Sequence, residues 1–167
     1  SNSGQRMLNE QRVAMLMGAF SSAHGVPLSS KVEAAKKFWC ATICISSAVF
    51  KNKNLTYIFR SHLHSDQYGE VSCDMLAAFA KPKLGKDPKD VKVAIIHEDG
   101  PYGVGVASGN ENRCKEHGFQ IVHKEGYAAS STDLSAMVSK LRRAKPDVLF
   151  HTGYNPDITL FFRQAKE

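Results

Sequence analysis

No apolar run in the 167 residues approaches the ~18 needed to span a bilayer, and the opening "SNSGQRMLNEQ" has no apolar stretch of a secretion signal. The four cysteines, Cys40, Cys44, Cys73 and Cys114, form no CxxC and no paired metal spacing, so no zinc module is expected. Cys40 and Cys44 stand in an apolar run and read as small buried hydrophobes, while spacing leaves the disulfide state of all four open. The seven histidines make neither HxxxH nor HExxH, and no metal is expected; His62 and His64 would share a face only in a strand. There is no GxSxG elbow. Ser21, Ser22 and Ser46 lie near strand ends with His24 close by, but no acid stands ready to orient a histidine, and helix capping explains Ser21 or Ser22 as well. The formal net charge is +6, yet the lysines and arginines are scattered without interleaved aromatics, which argues against nucleic acid as a partner.

What is present is an ordinary globular composition, 43% hydrophobic, with alternating elements. "RVAMLMGAF" reads as a short strand buried on both faces, followed by the turn-rich "SSAHGVPLSS" and a helix over "LSSKVEAAKK". "FWCATICI" and "TYIFRS" read as further strands. From Gln67, Tyr68, Val71, Met75, Leu76 and Phe79 repeat at helical spacing, with an end before Pro82. Then come strand "VKVAIIH", a helix from about Gly103 to His117 with Gly118 as C-cap, and strand "FQIVHKE". A helix with Leu134, Met137, Val138 and Leu141 on one face follows, opened by Ser131 or Thr132 and closed before Pro146. Strand "DVLFHTG" and helix "PDITLFFRQAKE" finish the chain. Such alternation predicts an α/β fold with parallel sheets and flanking helices. Ligands in such sheets bind outside the carboxyl ends of the strands, which singles out "GAFSSAHG", "CISSAV", "HEDGPYG", "EGYAASS" and "HTGYNPD".

The loop "HEDGPYGVG" half matches a dinucleotide fingerprint. Gly103 and Gly105 supply G-x-G, but Ser108 takes the third place, and Pro101 and Tyr102 crowd the turn; Glu125 stands where a ribose-binding acid would be. Neutral hydroxyls and backbone N–H groups at strand ends can instead hold a carboxylate, and tyrosines supply an apolar wall with a polar tip.

The stretches "LMGAFSSAHGVPLS", "CISSAVF", "YIFRS", "SDQYG", "VKVAIIHEDGPYGVG" and "EGYAASSTDLSAMVSKLRRAKPDVLFHTGYNPDITLFFRQAKE" together resemble type I periplasmic substrate-binding proteins of the leucine/isoleucine/valine-binding type. The likeness runs from about Met7 to Glu167 in order. It implies a type I periplasmic-binding-protein-like fold cut short at both ends, with part of lobe one over 1–63, a hinge crossing at 64–67 and part of lobe two over 68–167. It implies no enzyme and no cofactor, but a solute-binding component of an ABC importer, located in the periplasm and partnered by a membrane permease. The ligand would be a small carboxylate, a branched-chain or other amino acid, held in an interlobe cleft. Alternatives are aromatic or aliphatic carboxylic acids as ligand, a sensor domain of the same fold and, least favoured, a nucleotide-dependent enzyme.

By the same resemblance Ser22 and Ser46 form the clamp for the ligand's carboxylate, and the Cys44 carbonyl faces its α-ammonium. Tyr102 and Tyr154 close over it, and Phe20 lines the side-chain pocket. The chain departs from the family at Ala48, where proline is frequent, and at Ser21, where some members carry a disulfide cysteine. The ammonium-binding acid would lie beyond Glu167. Open sheet edges in the first part lead to an expectation of self-association for the isolated chain.

Overall fold

In the computed structural model, which describes residues 2–11 and 13–166, strands and helices alternate and divide into two compact units, Ser1–Ser65 and Asp66–Glu167. Each unit contains one three-stranded parallel sheet.

The first unit contains α1 (Asn2–Asn9), β1 (Met15–Gly18), α2 (Ser22–Ala34), β2 (Phe38–Ala41) and β3 (Ile58–Arg60), with strand order β1-β2-β3. One sheet face supplies Leu16, Trp39, Ala41 and Ile58 to a core shared with Leu28 and Val32 of α2. The other face carries Met15 paired with Phe38, and Met17, Cys40 and Phe59 in register across the sheet. Met15, Met17, Phe38 and Phe59 on it are exposed, with Phe38 stacked on Phe59 at 5.2 Å. Of the two cysteines read as buried hydrophobes, Cys44 is buried, whereas Cys40 lies on this face and is half-buried.

The stretch read as turn-rich is a correction: α2 already begins at Ser22 and runs through Gly25 and Pro27. Its buried residues are Ser22, Gly25, Leu28, Ser29 and Val32, a stripe of helical period. Three of those five residues are serine or glycine, so a search for apolar period misses the start of the helix.

The second unit contains α3 (Ser65–Phe79, from its second residue), β4 (Lys92–Glu98), α4 (Pro101–Glu116), β5 (Gln120–Tyr127), α5 (Ser135–Ala144), β6 (Val148–Thr152) and α6 (Asn155–Lys166). Strand order is β5-β4-β6, so β4 is central. Val93 and Ile95 enter one core with Cys73, Ala107, Cys114 and Phe119. Ala94 and Ile96 enter another with Leu134, Met137, Val138, Leu141 and Phe161. Burial on both faces explains why "VAII" is continuously apolar.

Helices α3 and α4 touch backbone to backbone: a Cβ on Gly69 would strike the Val106 carbonyl, and one on Gly109 the Asp66 carbonyl. Asn110 Nδ2 donates to the Gly69 carbonyl at 2.9 Å, and the Cys73–Cys114 disulfide joins the helices with Cα atoms 5.6 Å apart. That pairing, 41 residues apart in sequence, arises from facing helix surfaces and has no local motif.

Other boundaries shift. The end of α3 does not: it falls at Phe79, before Pro82 as expected, and Pro82 lies in the π turn Ala80–Leu84 that follows. Helix α4 starts at Pro101, not Gly103, and the predicted C-cap Gly118 (φ 79) comes one residue after the cap, His117. Helix α5 is not opened by Ser131 or Thr132. Asp133 Oδ1 accepts the Ser135 N–H at 2.9 Å, and Gln164 Oε1 takes the Leu134 N–H at 2.7 Å, which fixes the start at Ser135. His62 and His64 lie in an irregular segment, not a strand, and residues 65–67 are the first turn of α3.

Candidate functional site

In the first unit the site builds from the carboxyl ends of β1 and β2. Gly18 (φ 112) and Ala19 (φ 66) turn the chain sharply after β1, and Trp39 Nε1 donates to the Gly18 carbonyl at 3.2 Å. A non-glycine residue in this conformation is costly and needs such a surrounding to hold it. Phe20, next in the turn, is 68% exposed. Ser21 occupies the N-cap position of α2 without a side-chain capping bond, and the following residue, Ser22, is the first of the helix.

Ser22 and Ser46 are both buried. Ser22 Oγ accepts the Ser46 N–H at 3.2 Å, and Ser46 Oγ accepts the Ala48 N–H at 3.2 Å, capping the short 3-10 turn Ser47–Val49. Each oxygen thus accepts a backbone hydrogen, and its own hydroxyl hydrogen can be donated to a further acceptor. The Cys44 thiol donates to Ser22 Oγ at 3.9 Å. Burial pushes that thiol's pKa up, against the opposing pulls of Ser22, the Arg60 charge and the Ser46 backbone. Around this cluster, the Ser47 N–H donates to Ser65 Oγ at 3.2 Å, and Ser47 Oγ bonds His64 Nδ1 at 3.2 Å.

In the second unit the strand order reverses at β4, whose following helix leads to β5 on one side while β6 lies on the other. A crevice at such a switch point is where α/β sheets bind ligands. Tyr102, in the first turn of α4, and Tyr154, just before α6, stand there with ring centroids 5.5 Å apart at 52°. Burial raises the Tyr102 pKa, aided by Tyr154, Glu98, Tyr68 and Asp157, so its phenol stays a neutral donor.

Two buried acids hold these tyrosines in place. Glu98, at the end of β4, accepts the N–H groups of Gly100 at 2.7 Å and Gly103 at 2.6 Å, closing the start of α4. A Cβ at Gly103 would strike the Glu98 carbonyl, which explains that glycine without a pyrophosphate. Asp157 accepts the Tyr154 N–H at 2.8 Å and the Tyr127 hydroxyl at 2.6 Å. The Tyr127 hydroxyl hydrogen therefore belongs to Asp157, and the 2.8 Å contact of Tyr127 with His151 Nε2 is a donation from the imidazole. Glu98, Tyr127, His151 and Asp157 lie within the strand-end loops singled out from the sequence, but a search there for groups that touch a ligand passes over them as supports. Asp157 had a usable signal, an acid three residues after Tyr154 at capping-box spacing.

Glu125, at the place of a ribose-binding acid, pairs with Lys140 at 2.7 Å and His123 at 3.0 Å. Among the described residues no group of three or more His, Cys, Asp or Glu could hold a metal. Of the six predicted ligand residues, Ser22, Cys44 and Ser46 are hydrogen-bonded together and Tyr102 and Tyr154 meet ring to ring. Phe20 lies in the β1–α2 turn, two residues before Ser22.

Comparison with known proteins gives consistent relatives. A Leu/Ile/Val-binding protein homolog 8 from Brucella abortus (strain 2308) is 35% identical over 163 residues, 98% of this chain and 40% of that protein. Homolog 7 from Brucella suis biovar 1 (strain 1330) is 32% identical over 163 residues, 98% of this chain and 41% of that protein. The chain thus spans 40–41% of the length of these curated relatives. Among solved structures, a leucine binding protein from Thermotoga maritima MSB8 superimposes with TM-score 0.84 at 23% identity, covering 99% of this chain and 44% of that one. A solute binding protein of an ABC transporter from R. palustris, in complex with benzoate, superimposes with TM-score 0.85 at 12% identity, covering 98% of this chain and 43% of that one. The family described as "Periplasmic binding protein" matches residues 2–167, and with this fold, these parallel sheets and these strand-end clusters the chain belongs to that family.

Proposed function

We propose that the intact protein is the solute-binding component of an ABC importer, which captures a small carboxylate in an interlobe cleft outside the cytoplasm and passes it to a membrane permease. Residues 1–63 and 68–167 serve as parts of its two lobes, with 64–67 at the crossing. Ser22 and Ser46 donate their hydroxyls to the ligand's carboxylate, the Cys44 carbonyl faces an α-ammonium, and Phe20 borders the side chain. Tyr102 and Tyr154 close over the ligand from the second lobe. The role is binding without covalent chemistry.

The observation that carries this reading is the buried Ser22–Ser46 pair, each hydroxyl oxygen already accepting a backbone N–H. Several neutral dipoles directed at one point can offset the desolvation of an anion. Amino acids, branched-chain ones included, are the first ligand class, supported by the Leu/Ile/Val-binding homologues. Aromatic carboxylic acids are the second, because the benzoate-bound neighbour shares this fold and the serine pair reads the carboxylate end alone.

A thermal-shift screen of the full-length protein against amino acids, benzoates and NAD tests the proposal. A ligand at a hundred times its Kd stabilises the folded state by about 2.7 kcal/mol. Stabilisation by one carboxylate class is expected; stabilisation by NAD with none by any carboxylate would overturn the reading.

A further inference from the structure

Segment 44–47 follows β2 without a ladder partner, so its backbone groups rely on individual donors and acceptors. The Ile45 carbonyl accepts the Ser65 N–H at 2.8 Å, and the Ser46 carbonyl accepts the Val49 N–H at 3.3 Å. Both are thus served by the backbone. Nevertheless Arg60, the last residue of β3, donates through Nη1 to both, at 2.9 Å and 3.0 Å. Its guanidinium carbon lies 4.8 Å from the Phe50 ring centroid, which holds the head group partly out of water.

What the arginine adds is therefore charge and aim more than satisfaction of lone acceptors. It draws carbonyl oxygens of the segment to itself, while the Ser46 N–H and the Ser22 and Ser46 hydroxyls form the other side of the cluster. A partly desolvated cation acts over several ångströms with less screening than one in bulk water. Its charge also opposes the rise that burial gives the Cys44 thiol pKa.

We propose that Arg60 is a positioning residue that makes the serine cluster selective for an anion: tied to the carbonyls of Ile45 and Ser46 and held over Phe50, it favours a carboxylate over its neutral amide without touching the ligand. This rests on the reading of Ser22 and Ser46 as a carboxylate clamp.

The test uses the full-length protein and two probe pairs, L-leucine with L-leucinamide and benzoate with benzamide. Arg60→Met keeps the length and apolar contact of the side chain and removes the charge. Because both carbonyls keep their backbone donors, the ligand-free melting temperature should stay within about 3 °C of the native value. The Kd for the bound acid should rise about tenfold to a hundredfold, the scale of a charge-assisted interaction, with the amide changed less than about threefold. Arg60→Lys retains the charge and should keep the acid-over-amide preference even if the methionine variant folds poorly. Equal losses for acid and amide in Arg60→Met, or a lysine variant without the preference, would each overturn the role of Arg60 alone. Native protein that binds neither leucine nor benzoate would overturn the carboxylate clamp for these classes, and this inference with it.

Discussion

The two parallel sheets differ in how many of their faces the chain covers. In the second unit β4 sends Val93 and Ile95 to one helical core and Ala94 and Ile96 to another. In the first unit one face meets α2 while Met15, Met17, Phe38 and Phe59 stay exposed on the other. Parallel sheets are stable when both faces are covered, so the second unit is a complete layered core and the first is half of one. The polar sites differ in parallel. The first unit offers hydroxyls braced by backbone and by Arg60, and the second offers tyrosines braced by buried carboxylates.

The largest effect expected from this difference is on autonomy. A polypeptide of residues 66–167 should show one cooperative thermal transition by circular dichroism, and one of residues 1–65 should show none. Cooperative melting of the shorter piece would break the comparison. Next, replacing Cys73 and Cys114 by alanine together should cost about 2–5 kcal/mol in urea unfolding, the usual scale for removal of a native disulfide. A loss under about 1 kcal/mol would mean that the glycine contacts and Asn110 hold α3 to α4 by themselves.

Paired core truncations sharpen the contrast. Ile96→Ala should destabilise by about 2–5 kcal/mol. Met17→Ala, at a position 67% exposed, should stay within about 0.5 kcal/mol in residues 1–167. A large Met17 effect would show that its face is covered in solution, as self-association would require.

The smallest effect concerns pH. Burial lowers the His151 pKa from 6.5, while Asp157 opposes the shift. The ring contacts Tyr127, Phe161 and Phe162, and its Nδ1 is buried without a hydrogen-bond partner. Its contribution is fully present above 6.5 and is lost as pH falls below that value toward the lowered folded pKa, because the unfolded chain then binds the proton more readily. Thermal melts from about pH 7 to about pH 5 should fall less steeply for His151→Phe than for the native protein. Identical slopes would remove His151 from the account.

The alternation of elements and the strand-end loops were legible in the sequence because β4 is a continuous apolar run and α5 and α6 carry apolar periods. The first half of helix α2 was hidden since its buried positions there are Ser22 and Gly25, whereas its second half falls within the predicted helix "LSSKVEAAKK". The disulfide was hidden because its partners come from two helices and no local spacing joins Cys73 to Cys114. The individual ligand positions came from family resemblance, and the physical reading alone reached only the loops that contain them. The supports Glu98, Asp157 and Arg60 could not be found by searching for ligand groups, because each works through hydrogen bonds to backbone atoms of the segment it orders.

The carboxylate clamp is tested most directly by ligand-dependent melting of the full-length Ser22→Ala/Ser46→Ala variant beside the native protein. With the carboxylate that stabilises the native form, the double variant should lose nearly all of the shift while its ligand-free melting temperature remains measurable. An undiminished shift in that variant would contradict the assignment of these serines.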